Sequence, residues 1–261
     1  MKETYPIKLS ILMPVRNEGV NLKTMLKFIK AAVEVPHELL IVYDSLDDDS
    51  IPVIQKMQNT YPELKAVHNT LGRGVGNAIK AGVHASKGEY IFVIAADDIG
   101  PVLTIEEMLS LMDQGCDLVS ATRYAHGGRV LGGATMSRFL SRAANKIFYY
   151  ISGTILTDST VGIKMFRPSM FEKIDLESNV GWSAAFELAI KAQLNSFKLG
   201  EVPIISINRF YGGKSSFKLG KWVVEYTKLL LWGVKNLYFS GKSKRKLFVN
   251  IPKKSTFRRN K

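Results

Sequence analysis

The sequence predicts an α/β fold: a mostly parallel, doubly wound sheet with helices on both faces, extended by an amphipathic helix near its C-terminal end. Short apolar runs alternate with stretches of helical periodicity across residues 9–121, the pattern of parallel strands joined by crossover helices. The runs are nearly continuous in apolar residues, as strands buried on both faces are. The sharpest, Glu89-Tyr90-Ile91-Phe92-Val93-Ile94-Ala95-Ala96, stops at the adjacent carboxylates Asp97-Asp98. Open α/β sheets bind ligands outside the carboxyl ends of their strands, so acids delivered there are candidates for metal or substrate contact. Helix capping alone accounts for one acid better than for two.

Residues 9–15 form the first predicted strand and Asn17-Glu18-Gly19 the turn behind it, followed by a helix with Leu22, Met25, Leu26 and Ile29 at helical spacing. Residues 39–43 form the second strand, which ends in the acid-rich Asp44-Ser45-Leu46-Asp47-Asp48-Asp49-Ser50. A helix over 53–59 and a short strand over 65–68 come next. Gly72, Gly74 and Gly76 then open a helical stretch over 77–85, which leads into the central run. Beyond the acids, 105–112 reads as a helix and 118–121 as a strand, followed by Thr122-Arg123-Tyr124.

The regular alternation ends there. Gly127, Gly128, Gly132 and Gly133 predict a mobile loop carrying Arg129, and a long helix over 137–152 carries Arg138, Arg142 and Lys146. A loop of small residues (153–162), a strand (163–166), a helix with Glu187 inside it (182–194) and a last strand (199–208) complete the body. A basic glycine loop, Gly212-Gly213-Lys214-Ser215-Ser216, follows. Glycine-rich loops on either side of a phosphate site suit lids. The expected division is one continuous catalytic domain at 1–220, an amphipathic helix at 221–241 and a flexible basic tail at 242–261.

Composition narrows the function. The 261 residues suffice for a sizeable core. Cys116 is the only cysteine, which excludes a disulfide framework or a cysteine metal site within the chain, and His37, His68, His84 and His126 lack zinc-ligand spacing. The net charge of +13 is concentrated at the C-terminal end, where nine Lys and Arg and no acids follow Ser240. Such a tail suits an anionic membrane surface; no nucleic-acid module accompanies it, so no specific nucleic acid is expected. No signal peptide opens the chain, and no segment is long and apolar enough to span a bilayer. In the helix over 221–239, Trp222, Tyr226, Leu229, Leu230 and Leu237 share one face, and Lys221, Glu225, Lys228 and Lys235 the other. That face either packs on the domain or lies on a membrane.

Taken in order, the motifs resemble a known family. Pro14-Val15-Arg16-Asn17-Glu18, Asp44, the glycine turn and the acidic pair resemble the nucleotide-sugar domain of family 2 inverting glycosyltransferases, which have a GT-A-type fold. Thr122-Arg123-Tyr124, Ser141-Arg142-Ala143-Ala144-Asn145, Asp158 with Gly162, Glu187, Glu201-Val202-Pro203 and Arg209-Phe210-Tyr211-Gly212 are similar to later motifs of polyprenyl-phosphate sugar transferases, the dolichyl-phosphate mannosyltransferase group. The resemblance covers residues 9–220. It implies a donor, a GDP- or UDP-hexose, contacted by Pro14, Arg16, Glu18, Asp44, Gly74, Asn77, Ala96, Asp97, Asp98, Glu187, Arg209 and Lys218. It implies Mg²⁺ or Mn²⁺ held by Asp97 with Asp98, and a polyprenyl phosphate met by Arg123, Arg138 and Ser141. Asp97, Arg123, Asp158 and Arg209 are the catalytic candidates.

The chemistry agrees with those roles. Departure of a diphosphate builds negative charge that a cation or an arginine relieves. A lipid phosphate is already an anion and attacks without a general base, so the protein must orient it, for which the planar arginine fork is suited. The implied location is peripheral, at the cytoplasmic face of a membrane.

The sequence departs from the family pattern in three places. The usual acid-any-acid triplet would place an acid at Ala95 or Ile99; here the acids are adjacent, and strand neighbours point to opposite faces, which favours Asp97. Tyr43-Asp44-Ser45-Leu46 stands where paired acids are usual, leaving the base of the donor open. Ser137 stands where the acceptor arginine is expected, with Arg138 rotated by about 100° from it. A carbohydrate hydroxyl acceptor, with Asp158 or Glu187 as base, and a non-catalytic nucleotide-sugar or membrane-binding relative are the alternatives.

Overall fold

The computed structural model describes residues 6–132, 135–207, 219–239 and 246–251. β1 (Leu9–Val15) pairs in parallel with β2 (His37–Tyr43) on one side and β4 (Tyr90–Val93) on the other, and β3 (Leu64–His68) extends the sheet beyond β2. Strand residues alternate between two cores because successive side chains leave opposite faces. Leu9, Ile11 and Met13 enter one core with α1 (Gly19–Ala32) and α4 (Ile105–Asp113), whereas Leu12 enters the other with α3 (Val75–Ala85) and α6 (Ser183–Leu194). Each such fully buried aliphatic side chain contributes roughly 1.5–3 kcal/mol. α2 (Ile51–Gln58) packs on α1 and β3 at the sheet's end.

On the other side of β4 the sheet continues with β7 (Lys164–Phe166), β5 (Leu118–Thr122), β8 (Leu199–Pro203) and β10 (Phe248–Val249), giving the order β10-β8-β5-β7-β4-β1-β2-β3. β7 runs antiparallel between β4 and β5; the other pairings in this sheet are parallel. The chain moves outward from β1 to β3 and then returns to β4, so the direction of winding switches between β1 and β4. A crevice opens outside the carboxyl ends of the strands at such a switch.

Two expectations are corrected. Part of the predicted mobile loop is β6 (Arg129–Leu131), and the predicted last strand breaks after Pro203, so that β9 (Ile205–Ile207) pairs with β6 in a separate two-stranded sheet. The basic tail is not wholly free: β10 adds to the edge of β8, and Leu247 and Phe248 pack on the two cores. In α7 (Leu219–Phe239), of the two readings left open for its apolar face, packing on the domain is the one observed: Tyr226, Leu229, Leu230 and Leu237 meet Phe148 of α5 (Thr135–Ser152) and Phe186 and Ile190 of α6. The opposite surface of α7 remains outside and carries further apolar residues.

Candidate active site

The carboxyl ends of β1, β2, β4 and β5 deliver the expected residues along one edge of the sheet. At the β1 end, Asn17 adopts a left-handed conformation (φ 54°), which its short polar side chain tolerates. Acids of the β2–α2 loop grip this turn: Asn17 N–H donates to Asp48 Oδ2 at 3.0 Å and Gly19 N–H to Asp49 Oδ1 at 2.9 Å. Glu18 accepts from Asn21 Nδ2 at 2.7 Å in the first turn of α1. Arg16, Asn17, Asp44, Ser45, Asp47, Asp48 and Arg73 line a cleft of about 200 Å³.

Asp44 organises the neighbouring loop. Its Oδ1 accepts from Asn69 Nδ2 at 2.7 Å and its Oδ2 from Gly74 N–H at 3.0 Å. Gly74 has a φ of 123°, and a Cβ there would lie 2.7 Å from the carbonyl oxygen of Asn179, so both conformation and contact require glycine. Segment 177–179 is held in turn by Glu187, which is buried in α6. Glu187 accepts from the N–H groups of Glu177 (3.1 and 3.0 Å) and Ser178 (2.8 Å) and pairs with Lys191 at 2.6 Å. The Glu187 carboxylate thus holds the segment that covers the glycine turn. Asn77, half-buried, lies in the first turn of α3, and Pro14 near the end of β1.

The acidic pair divides. Asp98 is buried, with Oδ1 accepting from Ile207 N–H (2.9 Å) and Gly100 N–H (3.3 Å) and Oδ2 from the Ser206 hydroxyl (2.5 Å). Burial holds its pKa above the ordinary carboxylate value, against the pull of these hydrogen bonds. Its carboxylate ties β9 to the end of β4 through Ser206 and Ile207. Asp97 is half-buried. The side chain of Ala96 packs in the core, which leaves only its backbone for a donor.

Among the described residues no three His, Cys, Asp or Glu side chains converge as a cation site. One carboxylate at a strand end still fits Mg²⁺ or Mn²⁺, because such ions are held by one or two carboxylates completed by substrate phosphates.

At the end of β5, Arg123 and Asp158 form a side-on pair: Nε donates to Oδ2 at 2.7 Å and Nη2 to Oδ1 at 2.9 Å, and the Arg123 N–H adds a third bond to Oδ2 at 3.1 Å. Asp158 is fully buried, and 21% of the Arg123 side chain is exposed. Nη2 also reaches Thr160 Oγ1 at 3.2 Å and Ser141 Oγ at 3.4 Å, and the guanidinium lies over the Tyr124 ring at 4.9 Å. Burial works against the charge of Arg123, but Asp158 more than offsets it and keeps the pKa above its ordinary value. Nη1 hydrogen-bonds no described residue.

Arg138 does not join this group. Its Nη1 reaches Val130 O at 3.4 Å and its Nη2 Thr135 Oγ1 at 3.3 Å, toward β6, because its position on α5 differs by one residue from that of the expected arginine. Arg209 and Lys218 lie outside the described residues. Sequence reasoning missed Arg73, although an arginine between two glycines at a helix start was a signal. It also missed Lys164, buried behind Arg123, and it could not place Asn145 and Glu201, two residues of the matched motifs, in the same buried group. Asn145 ties α5 to Thr160 at 2.7 Å. Lys164 donates to Ser120 Oγ at 3.0 Å and Val161 O at 2.8 Å, and burial brings its pKa down to about 7.

A family model described as Glycosyl transferase family 2 matches residues 10–175. The chain is 26% identical over 225 residues to a dolichol-phosphate mannosyltransferase of Pyrococcus furiosus, covering 85% of this chain but 62% of that protein's length, less than two thirds of it. It is 26% identical over 227 residues to a polyprenol monophosphomannose synthase of Mycolicibacterium smegmatis, covering 81% and 85%. Among solved structures it is similar to glucosyl-3-phosphoglycerate synthase from Mycobacterium tuberculosis. The complex with Mn²⁺, UDP and glucosyl-3-phosphoglycerate gives a TM-score of 0.62 at 14% identity, over 90% of this chain and 80% of that one. The complex of the same protein with Mg²⁺ and UDP gives 0.65 at 16% identity, over 88% and 80%. These structures share the fold.

Proposed function

The chain belongs to glycosyl transferase family 2 and is a glycosyltransferase, and from this we propose that it moves a hexose, with inversion, from a GDP- or UDP-sugar to a polyprenyl phosphate at a membrane surface. The observation that carries the acceptor is Arg123: a guanidinium fixed by a buried carboxylate, with Nη1 uncommitted. An arginine so held presents a rigid donor to phosphate at little further cost in order. The two acids that a hydroxyl acceptor would use as base, Asp158 and Glu187, are both occupied, which disfavours that alternative.

The donor fits the cleft between Arg16, Asp44 and Arg73, whose arginines suit a diphosphate and whose Asp44 orders the glycine turn beside it. Asp97, with the donor's own phosphates, would hold the divalent ion, which when bound supplies charge relief for the leaving diphosphate. Arg123, with the Ser141 hydroxyl beside it, orients the acceptor phosphate oxygen for attack. Asp158 keeps the guanidinium in place and neither gives nor takes a proton. Arg209 and Lys218 remain proposed donor contacts on the strength of the family resemblance.

The membrane part of the reading rests on α5 and α7, which pack together. Their outer surfaces expose Phe139, Leu140, Ile147, Tyr150, Leu231, Trp232 and Phe239. Arg142, Lys146, Lys228 and Lys235 are exposed among them, a combination that suits an anionic leaflet. No helix among the described residues is long and apolar enough to cross a bilayer. We place the protein on the cytoplasmic face. The test is transfer of labelled hexose from GDP- and UDP-sugars to polyprenyl phosphate and to oligosaccharide acceptors. Transfer to the lipid phosphate alone supports the reading, and transfer to the sugar hydroxyl alone overturns it.

A further inference from the structure

Glu201 of β8 is fully buried and has three donors converging on it. Its Oε1 accepts from the N–H groups of Thr157 (2.6 Å) and Asp158 (3.2 Å), and its Oε2 from the Thr157 hydroxyl (2.9 Å). One hydrogen-bonded chain runs from there to Arg123, and a second to the two residues that follow it. One passes through Asp158, whose backbone Glu201 holds and whose carboxylate takes the guanidinium. The other passes from Thr157 Oγ1 to Thr122 Oγ1 at 2.8 Å, and Thr122 Oγ1 accepts from the N–H groups of Tyr124 (3.4 Å) and Ala125 (3.3 Å) just past Arg123.

We propose that Glu201 is a positioning residue: in its ionised form it fixes both the backbone and the guanidinium of Arg123, and so sets affinity for the acceptor phosphate. The inference rests on the reading of Arg123 as the acceptor ligand. The two backbone N–H groups on Oε1 suit either form, so the Thr157 hydroxyl reads the difference: it donates to an ionised Oε2 and accepts from a protonated one. Protonation of Oε2 would turn the Thr157 hydroxyl around and, through it, deprive the Thr122 hydroxyl of its acceptor.

The groups facing Glu201 bear on its titration. His126 of the β5–β6 connection places Nε2 at 3.9 Å from Oε2, Asp158 comes from the loop before β7, and Lys164 from β7 itself. Burial, together with the charge of Asp158, raises the Glu201 pKa to about 7 despite its three hydrogen bonds. The clamp therefore loosens as pH falls through neutrality.

The decisive experiment follows the Arg123 Nε–Hε resonance by NMR between about pH 5.5 and 8.5, without any acceptor, in the wild type, Glu201→Gln and His126→Gln. The expected result is a midpoint near neutrality in the wild type and in His126→Gln and, in Glu201→Gln, loss of that transition, leaving only one from buried Lys164, displaced to lower pH because the Glu201 charge that supports its proton is gone. A resonance invariant with pH in the wild type, or titrating unchanged in Glu201→Gln, overturns the proposal.

In the transfer assay, Glu201→Gln should raise the acceptor KM about tenfold or more while leaving the donor KM within about twofold. An acidic limb from the acceptor's own second ionisation, near 6, should persist. An unchanged acceptor KM would contradict the proposal. Thr157→Val, which cuts only the hydroxyl chain, serves if Glu201→Gln fails to fold: it should raise the acceptor KM by a smaller factor, and no change would count against the proposal. If the NMR result appears as expected but the wild type transfers nothing to polyprenyl phosphate, the acceptor reading fails while the positioning of Arg123 by Glu201 stands.

Discussion

Asp158 holds Arg123 through three hydrogen bonds of 2.7, 2.9 and 3.1 Å while itself wholly excluded from solvent. A carboxylate so committed orients its partner. Asp158→Asn keeps the shape but replaces one acceptor oxygen with a donor aimed at a guanidinium. Breaking a buried pair costs about 3–5 kcal/mol, so thermal unfolding should show a marked loss of stability. The acceptor KM should rise while nucleotide affinity stays near the wild-type value. Equal loss of donor and acceptor binding would contradict this assignment.

The two adjacent acids should separate by mutation. Asp97→Asn should abolish metal-dependent binding of UDP or GDP in calorimetry with little change in melting temperature, because Asp97 is half-exposed. Asp98→Asn should retain metal-dependent binding but lose about 1–3 kcal/mol of stability, since it disturbs a buried acceptor of the Ser206 and Ile207 bonds. The opposite pattern would reassign the metal ligand to Asp98.

Stability should pass through a minimum near neutral pH. Glu201 titrates at about 7 in the fold against an ordinary glutamate value of 4.5, so below 4.5 its raised pKa favours the fold, and this contribution is lost as pH rises to about 7. Lys164 behaves oppositely. Its pKa is lowered from 10.5 to about 7, so its burial costs stability while the unfolded chain still holds the proton, and stability recovers as pH rises toward 10.5. Denaturation of Glu201→Gln across this range should lack the fall between pH 4.5 and 7, a difference on the order of 3 kcal/mol. Parallel curves for wild type and variant would contradict it.

Membrane attachment should depend on the outer surface of α7. Replacing Trp232 and Phe239 by serine should weaken binding to anionic vesicles about tenfold or more in flotation, with wild-type stability. Leu237→Ala, on the packed face, should instead cost about 2–5 kcal/mol of stability. Full flotation by the double variant would remove α7 as the anchor.

Much of the site edge at the ends of β1, β2 and β4 was legible because buried parallel strands are written as continuous apolar runs with polar stops. Hence the ends of β1, β2 and β4 placed Arg16, Asp44 and Asp97. Strand direction leaves no such mark, so the antiparallel insertion of β7 was not readable, nor was the pairing of three-residue β6 with β9. Adjacent acids look alike in sequence, and only the approach of Ser206 and Ile207, more than a hundred residues later, gives Asp98 its job. α7 is apolar on more than one side, so its periodicity revealed a face without revealing what that face meets. Glu201 was visible as part of a motif, but its three donors come from a loop that sequence spacing does not bring near it.

The central claim is that Arg123 receives an acceptor phosphate. It is tested most directly by measuring hexose transfer to polyprenyl phosphate by Arg123→Ala, with nucleotide-sugar binding followed in parallel. The account predicts donor binding near the wild-type level and transfer reduced about a hundredfold or more, the scale of losing one charge-stabilising donor at a reacting group. Full transfer by the folded variant would contradict it.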